Sequence, residues 1–227
     1  MLRKFCGPSV KMADEAGFYA VLIPRKTVTD YTLLVTYDNG TEEEIHDPYS
    51  FGPQFTEDEL KKFGAGIYYD IYEKMGAHPM TIDGVEGVYF AVWAPNAQAV
   101  SVIGEFNDWD EQVSPMKKVG PIGVFEVFVP GAKIGQLYKF FIIGMHGEHI
   151  YKADPYANEA ELRPGTASRI TDIGAYKWKD ATWMKNRQKF DENKDAMAIY
   201  EVHPGSWMKH PATEEDEKGF YNYRELA

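Results

Sequence analysis

The chain has 227 residues, with 24 basic and 35 acidic side chains for a formal net charge of −11, and rich aromatic content. This balance fits a globular chain of one or two domains and excludes nucleic acid as a partner, because a polyanion would be repelled. Cys6 is the only cysteine, which leaves no internal disulfide. No apolar run after Met1-Leu2-Arg3-Lys4-Phe5 is long enough for a leader or a membrane span, so a cytoplasmic location and no membrane partner are expected.

The first apolar stretch, Gly17-Phe18-Tyr19-Ala20-Val21-Leu22-Ile23-Pro24, recurs as Gly123-Val124-Phe125-Glu126-Val127-Phe128-Val129-Pro130 with the same Gly-to-Pro spacing. A second block repeats as well. Tyr31 precedes Gly40 by nine residues and Asp47-Pro48-Tyr49 by sixteen, and Tyr138 precedes Gly147 and Asp154-Pro155-Tyr156 by the same intervals. The chain therefore holds two related β modules. Many more residues precede the repeat in the second copy than in the first, so residues 1–55 are expected to be an incomplete module that has lost its opening strands. The Asp-Pro-Tyr triplets recur at one offset and are read as architecture: aspartate before proline favours an extended turn, and the tyrosine packs back with its hydroxyl bonded.

Residues 56–80 read as a helical linker. Thr56-Glu57-Asp58-Glu59 has the form of a capping box, and Ile67, Tyr68, Ile71 and Met75 recur at helical spacing. Gly64 and Gly66 predict two short pieces rather than one long helix, and Gly76-Ala77-His78-Pro79 ends the linker. Asp83-Gly84 then turns into a second module at 81–176. In Gly87–Asp110, Val88, Phe90 and Val92 alternate with Tyr89, Ala91 and Trp93 as in a half-buried strand, with Trp93 read as core. Ala94-Pro95-Asn96 breaks the ladder before Val100, Val102 and Ile103 resume it. The loop Gly104-Glu105-Phe106-Asn107-Asp108-Trp109-Asp110 puts an indole beside an amide and carboxylates. An aromatic face suits the C–H side of a pyranose and the polar groups suit its hydroxyls, so the loop suggests a glucan. His146-Gly147-Glu148-His149 has the residue types of a metal cluster, yet it falls where the first copy has Asp38-Asn39-Gly40-Thr41, a hairpin-turn sequence. A polar turn is predicted, with no metal and no cofactor.

Residues 177–195 form a charged, poorly periodic link. Residues 196–227 open with the apolar Ala196-Met197-Ala198-Ile199-Tyr200-Glu201-Val202-His203, stopped by Pro204-Gly205. The acidic Glu214-Glu215-Asp216-Glu217 follows, read as a solvated loop, and then Tyr223-Arg224-Glu225-Leu226-Ala227 as a helix in its first turns. A strand, a long loop and a starting helix are the opening of a βα unit.

Nine motifs in order carry a family resemblance: DPYSFGP from Asp47, MGAHP from Met75, VWAPNA from Val92, GEFNDWD from Gly104, GQLYKF from Gly135, KADPYA from Lys152, RPGTAS from Arg163, YEVHPGSW from Tyr200 and YRELA from Tyr223. The chain resembles the N-terminal part of the bacterial 1,4-α-glucan (glycogen) branching enzymes within glycoside hydrolase family 13. The resemblance implies a mainly β fold: an immunoglobulin-like β-sandwich at 81–176, a carbohydrate-binding module of family 48, preceded by its incomplete copy. It also implies that residues from about 196 start a (β/α)8 barrel, with Ile199–His203 as first strand, truncated at Ala227.

Retaining attack on an α-1,4 bond needs a carboxylate nucleophile and a carboxylic acid about 5 Å apart. In a branching enzyme the acceptor is the 6-hydroxyl of another glucan. The family places these carboxylates on later barrel strands, so no catalytic residue is assigned to this chain, which is expected to be inactive alone; Glu201 and His203 are read as packing. The resemblance assigns α-glucan contact to Trp109, Asn107 and Lys139, the last projecting opposite to Tyr138 and Phe140. Trp109 either stacks on glucose or only caps the sandwich. Glycogen-binding modules of this fold carry a second tryptophan where this chain has Met145-His146, so one stacking wall would be missing. A standalone glucan-binding protein and a debranching enzyme of the same superfamily are the other readings. The first has little reason to keep Trp207, Phe220, Tyr221 and Tyr223 without a barrel, and the duplicated module and YEVHPGSW argue against the second.

Overall fold

The computed structural model describes residues 10–15, 18–22, 24, 31–214 and 216–227; Met1–Phe5, Cys6, Gly17, Ile23 and Glu215 lie outside them. Two compact units are present, Met1–Ala175 and Tyr176–Ala227. In chain order the first contains β1 (Lys11–Asp14), β2 (Phe18–Ala20), β3 (Leu33–Thr36), β4 (Glu42–Ile45), α1 (Glu57–Gly64), β5 (Gly76–Ile82), β6 (Val85–Trp93), β7 (Ala99–Gly104), β8 (Lys117–Val119), β9 (Val124–Pro130), β10 (Leu137–Ile143), β11 (His149–Lys152), β12 (Glu159–Ala160) and β13 (Ser168–Arg169).

Two antiparallel sheets form the sandwich. One has the order β5-β6-β9-β8; in the other, β10 pairs with β7 on one edge and with β11 and β13 in tandem on the other, and β12 extends β13. The facing residues Val88, Phe90, Val92, Val100, Val102, Phe125, Val127, Tyr138, Phe140 and Ile170 close a single core. This is the immunoglobulin-like architecture expected from the resemblance, and its strands obey the period-2 alternation of the sequence. The Asp83-Gly84 turn joins β5 and β6 with both residues at positive φ, 52° and 81°, as a two-residue hairpin of matching twist requires.

The strand reading at 88–93 needs two corrections. β6 is buried on both faces, because Tyr89 and Ala91 enter a second cluster with Met75, Val124 and Phe128 that is covered by Phe51, Phe55, Leu60, Phe63 and Tyr68. A third layer, contributed by the linker and the residues just before it, lies behind the first sheet. Trp93, expected in the core, is 52% exposed: it ends the strand, donates its indole N–H to the Ile122 carbonyl at 2.8 Å and meets Phe63 edge-on. Its polar N–H and its place at a sheet terminus hold it at the rim.

The linker itself follows its sequence closely at its start. Glu59 N donates to Thr56 Oγ1 (3.2 Å) while the Glu59 carboxylate accepts from Thr56 N (2.8 Å), so the capping box is formed. Gly66, at φ 71°, closes α1 with Gly66 N to Phe63 O (2.9 Å) and Ile67 N to Lys62 O (3.0 Å), and a separate 3-10 turn covers Ile71–Glu73. The linker ends sooner than residue 80. Gly76-Ala77-His78-Pro79 are the first residues of β5, whose edge position tolerates the proline.

In the first copy, β3 and β4 pair as a two-stranded sheet, as do β1 and β2. The hairpin turns are repeated faithfully. Tyr37 N donates to Thr41 O (2.9 Å) with Gly40 at φ 79°, and Gly144 N donates to Glu148 O (2.9 Å) with Gly147 at φ 82°. His146-Gly147-Glu148-His149 is thus a turn, its Glu148 carboxylate accepting from His146 N.

In the second unit, α2 spans Ala181–Arg187, α3 Pro204–Trp207 and α4 Tyr223–Leu226. The link, poorly periodic in sequence, contains the helix Ala181–Arg187. Asn222 caps α4 with a capping box to Glu225, so the expected helix does start at Tyr223. The strand expected at Ile199–His203 is absent, and Ile199 is 84% exposed. A strand is held by its neighbours' backbone groups, and residues 176–227 form no named strand among the described residues that could pair with it.

Candidate functional site

The loop after β7 is built around Asn107. Its Oδ1 accepts from Gly104 N (2.9 Å) and its Nδ2 donates to Val102 O (3.0 Å) and Ser114 Oγ (3.1 Å), all buried. Asn107, expected from the resemblance to be a sugar contact, therefore spends its amide on fixing the loop. The next two residues are left-handed, Asp108 at φ 53° and Trp109 at φ 61°, and Trp109 N closes the turn on Gly104 O at 2.9 Å. A bulky residue at positive φ is a genuine outlier that costs roughly 1–3 kcal/mol and persists only where the surroundings over-determine it. Trp109 is held in that conformation with 38% of its surface open.

Lys139 stands on the outer face of the second sheet. It sits opposite Ile103 in register, and its neighbours Tyr138 and Phe140 point inward to the core. Its ammonium donates to Thr166 Oγ1 at 2.7 Å, so a lysine from β10 and a hydroxyl from the segment before β13 meet at the surface. Nothing in the sequence marks Thr166 as part of a site, although RPGTAS contains it. Contact across that distance along the chain has no local signature.

Farther along the same face, Phe141 pairs with Tyr151 of β11, the two rings 5.4 Å apart, and His149 meets Phe141 edge-on at 5.0 Å. The Tyr151 hydroxyl donates to the Glu111 carboxylate, which raises the phenol above its ordinary value. Glu111 follows β7 and Tyr151 lies on β11, with β10 between them. The bond thus links the loop after β7 to strand β11. Phe141, on an outward-facing position, is only 4% exposed and packs against Tyr151 and His149. The face as a whole offers exposed aromatic surface, a lysine and hydroxyls, the donor and stacking set that suits a polyhydroxylated ligand.

Beneath it lie two buried tyrosine–carboxylate pairs. Tyr138 donates to Asp154 at 2.5 Å and Tyr89 to Glu126 at 2.6 Å, and Glu126 also accepts from the backbone of Gln54 and Phe55. Burial pushes both carboxyls up from their usual range against the pull of these hydrogen bonds. They hold the sandwich and its third layer together, and Tyr89 and Glu126 also line a small cleft with Tyr49, Gln54 and Lys117. The first copy repeats the pair, with Tyr31 donating to Asp47 at the same separation in sequence.

Comparison with known proteins fixes the frame. Residues 74–157 match carbohydrate-binding module 48, the isoamylase N-terminal domain. These residues are a family 48 carbohydrate-binding module. The chain is 52% identical over 172 residues to the 1,4-alpha-glucan branching enzyme GlgB of Butyrivibrio fibrisolvens, an overlap of 76% of this chain and 27% of that protein. It is 46% identical over 215 residues to the enzyme of that name from Protochlamydia amoebophila, covering 94% of this chain and 28% of that one. A solved putative alpha amylase from Salmonella typhimurium is 24% identical over 48% of this chain and 16% of its own, with a TM-score of 0.38. The chain spans little more than a quarter of the length of these two curated relatives. Asn107, Trp109, Lys139 and Tyr151 all lie inside the module's matched span, and Thr166 lies just beyond it.

Proposed function

We propose that this chain serves a 1,4-α-glucan branching enzyme, with the family 48 module holding α-glucan on the outer face of its second sheet. The observation that carries the reading is Trp109. It is a half-open indole locked in a strained backbone conformation by a loop whose amide, Asn107, is fully engaged in fixing it. Such rigidity lowers the ordering cost of binding, since the stacking surface is already in place. Lys139 and Thr166 supply donors for sugar hydroxyls beside it, and Asn107 acts by positioning.

In this reading the chemistry belongs to sequence that the longer relatives possess and residues 1–227 do not. Retaining transfer needs its nucleophile and its acid on opposite sides of the scissile bond, and the module supplies neither. Its contribution is to raise the local concentration of donor and acceptor chains near the catalytic groups.

The test is retardation of the 227-residue chain in gels containing glycogen, backed by calorimetric titration with maltoheptaose. Saturable binding is expected, with no new α-1,6 branches formed by this chain. W109A should weaken binding at least about tenfold, which corresponds to about 1.4 kcal/mol. Unretarded migration of the unaltered protein would sink the reading.

A further inference from the structure

We infer that Glu126 is a proton-linked latch: it holds a strap, residues 51–55, and with it the first copy of the module against the first sheet, and releases them as pH rises.

Among the described residues, the only hydrogen bonds that join residues 10–74 to residues 76–175 run from Gln54 N, at 3.2 Å to each oxygen, and from Phe55 N, at 3.4 Å, to the Glu126 carboxylate. Nor does any ion pair join the two spans among those residues. Besides these bonds the spans meet through apolar packing. Phe51 lies edge-on to Phe128 at 4.6 Å, and Phe55, Leu60 and Phe63 share a cluster with Tyr89, Ala91 and Val124. Apolar packing is non-directional, so one carboxylate fixes where the strap sits.

The surroundings of Glu126 suit the neutral acid better than the anion. It is 4% exposed and stands opposite Lys117 of β8 in register, yet among the described residues it has no ion pair. Tyr89 of β6 donates at 2.6 Å, whereas the two backbone bonds are long. Tyr49 lines the same cleft. Farther out, Lys74 donates to Gln54 O (2.9 Å) and pairs with Glu59 (3.3 Å), which accepts from Tyr68, and His78 of β5 stacks on Tyr89. No cation therefore meets the carboxylate directly, and burial pushes it up from its ordinary value despite its donors. Lifting the strap lets water reach Glu126 and returns it to that ordinary value. Latching thus takes up a proton: it is fully favoured below the ordinary value and weakens as pH rises through the raised one. Release frees the first copy, whose hairpins make no hydrogen bond of their own to the sandwich among the described residues.

Hydrogen exchange read by mass spectrometry on the 227-residue chain, at pH values from 4.5 upward and corrected for the intrinsic exchange rate, separates strap from sandwich. The opening constant of peptides covering residues 51–55 should rise by up to about tenfold per pH unit above the ordinary glutamate value and level off beyond the raised one, while peptides of β10 stay flat. E126Q, which cannot ionise, should give an opening constant independent of pH. Y89F removes the hydroxyl that favours the anion, so its strap should open more than that of the unaltered chain, with the larger excess at high pH. A flat profile in the unaltered chain, or the same slope in E126Q, overturns the inference. So does a strap that exchanges only together with β10, because no separate latch would then exist. Should E126Q fail to fold, Y89F decides: an equal excess at both ends of the pH series would show that Glu126 is no proton-linked latch.

Discussion

The two copies of the β module share local chemistry and differ in what lies against it. Tyr31 donates to Asp47 and Tyr138 to Asp154 across the same sixteen residues, and each aspartate also accepts from the N–H two positions on, Tyr49 and Tyr156, at 2.8 Å. The hairpin turns are superimposable in their hydrogen bonds. Yet Tyr138 is fully buried and Tyr31 is 44% exposed, because among the described residues only the second copy faces an opposing sheet. Local sequence sets the clasp and the turn, and the tertiary partner decides what they contribute to stability. An isolated hairpin is marginal at best, and the first copy shields its β4 edge with Glu42, Glu43 and Glu44 rather than with another strand.

Deleting matched residues should break the symmetry most. F140A removes a fully buried ring from the sandwich and should destabilise the chain by about 3–5 kcal/mol, whereas L33A, at the matching place in a half-buried hairpin, should cost roughly 1 kcal/mol or less. Urea unfolding of both variants reads the difference. An L33A as damaging as F140A would mean that the first copy has a packed core of its own. A smaller contrast is expected for the clasps. Y138F leaves the buried Asp154 without its hydroxyl donor, at about 1–3 kcal/mol, and Y31F exposes Asp47 to water at a cost within about 0.5 kcal/mol. Equal effects would show that the repeat, not burial, sets the strength of the clasp.

The features shared by the two copies are also the ones most legible in the sequence. The spacing Tyr–Gly–Asp-Pro-Tyr announces both hairpins, and Thr56-x-x-Glu59 announces α1, because turns and caps are settled by residues within a few positions of one another. The turn after β7 is legible for the same reason, since Asn107 and Trp109 both close it on Gly104. What escapes a linear reading is set by distant partners. Tyr89 and Ala91 have the pattern of a strand's outward face, and only the linker layer buries them; Trp93 has the pattern of core, although it ends the strand at the rim. Asn107 reads as a ligand contact because an amide's partners, Val102 and Ser114, cannot be told from sugar hydroxyls in a linear pattern. Thr166 and Tyr151 join the face only through the register of β10 with its neighbours. Ile199–His203 has a strand's composition but no strand to pair with among the described residues.

The smallest expected effect is a pH dependence confined to the buried carboxyls. Burial raises Asp154 from its ordinary value of 3.8 and Glu126 from 4.5, and in both cases desolvation outweighs the hydrogen bonds that favour the charged form. The folded chain therefore holds these protons more tightly than the unfolded chain does. Their contribution to stability is fully present below the ordinary carboxyl values and is lost as pH rises through the raised ones. Against the background of all other carboxyls this is visible only by difference. In D154N and E126Q, which cannot ionise but can still accept from Tyr138 and Tyr89, the decline as pH rises above the ordinary carboxyl range should be shallower than in the unaltered chain. Urea midpoints across that range measure it. Parallel curves would mean that water reaches these carboxylates, and that the sandwich and its linker layer are less tightly sealed over Glu126 and Asp154 than their packing shows.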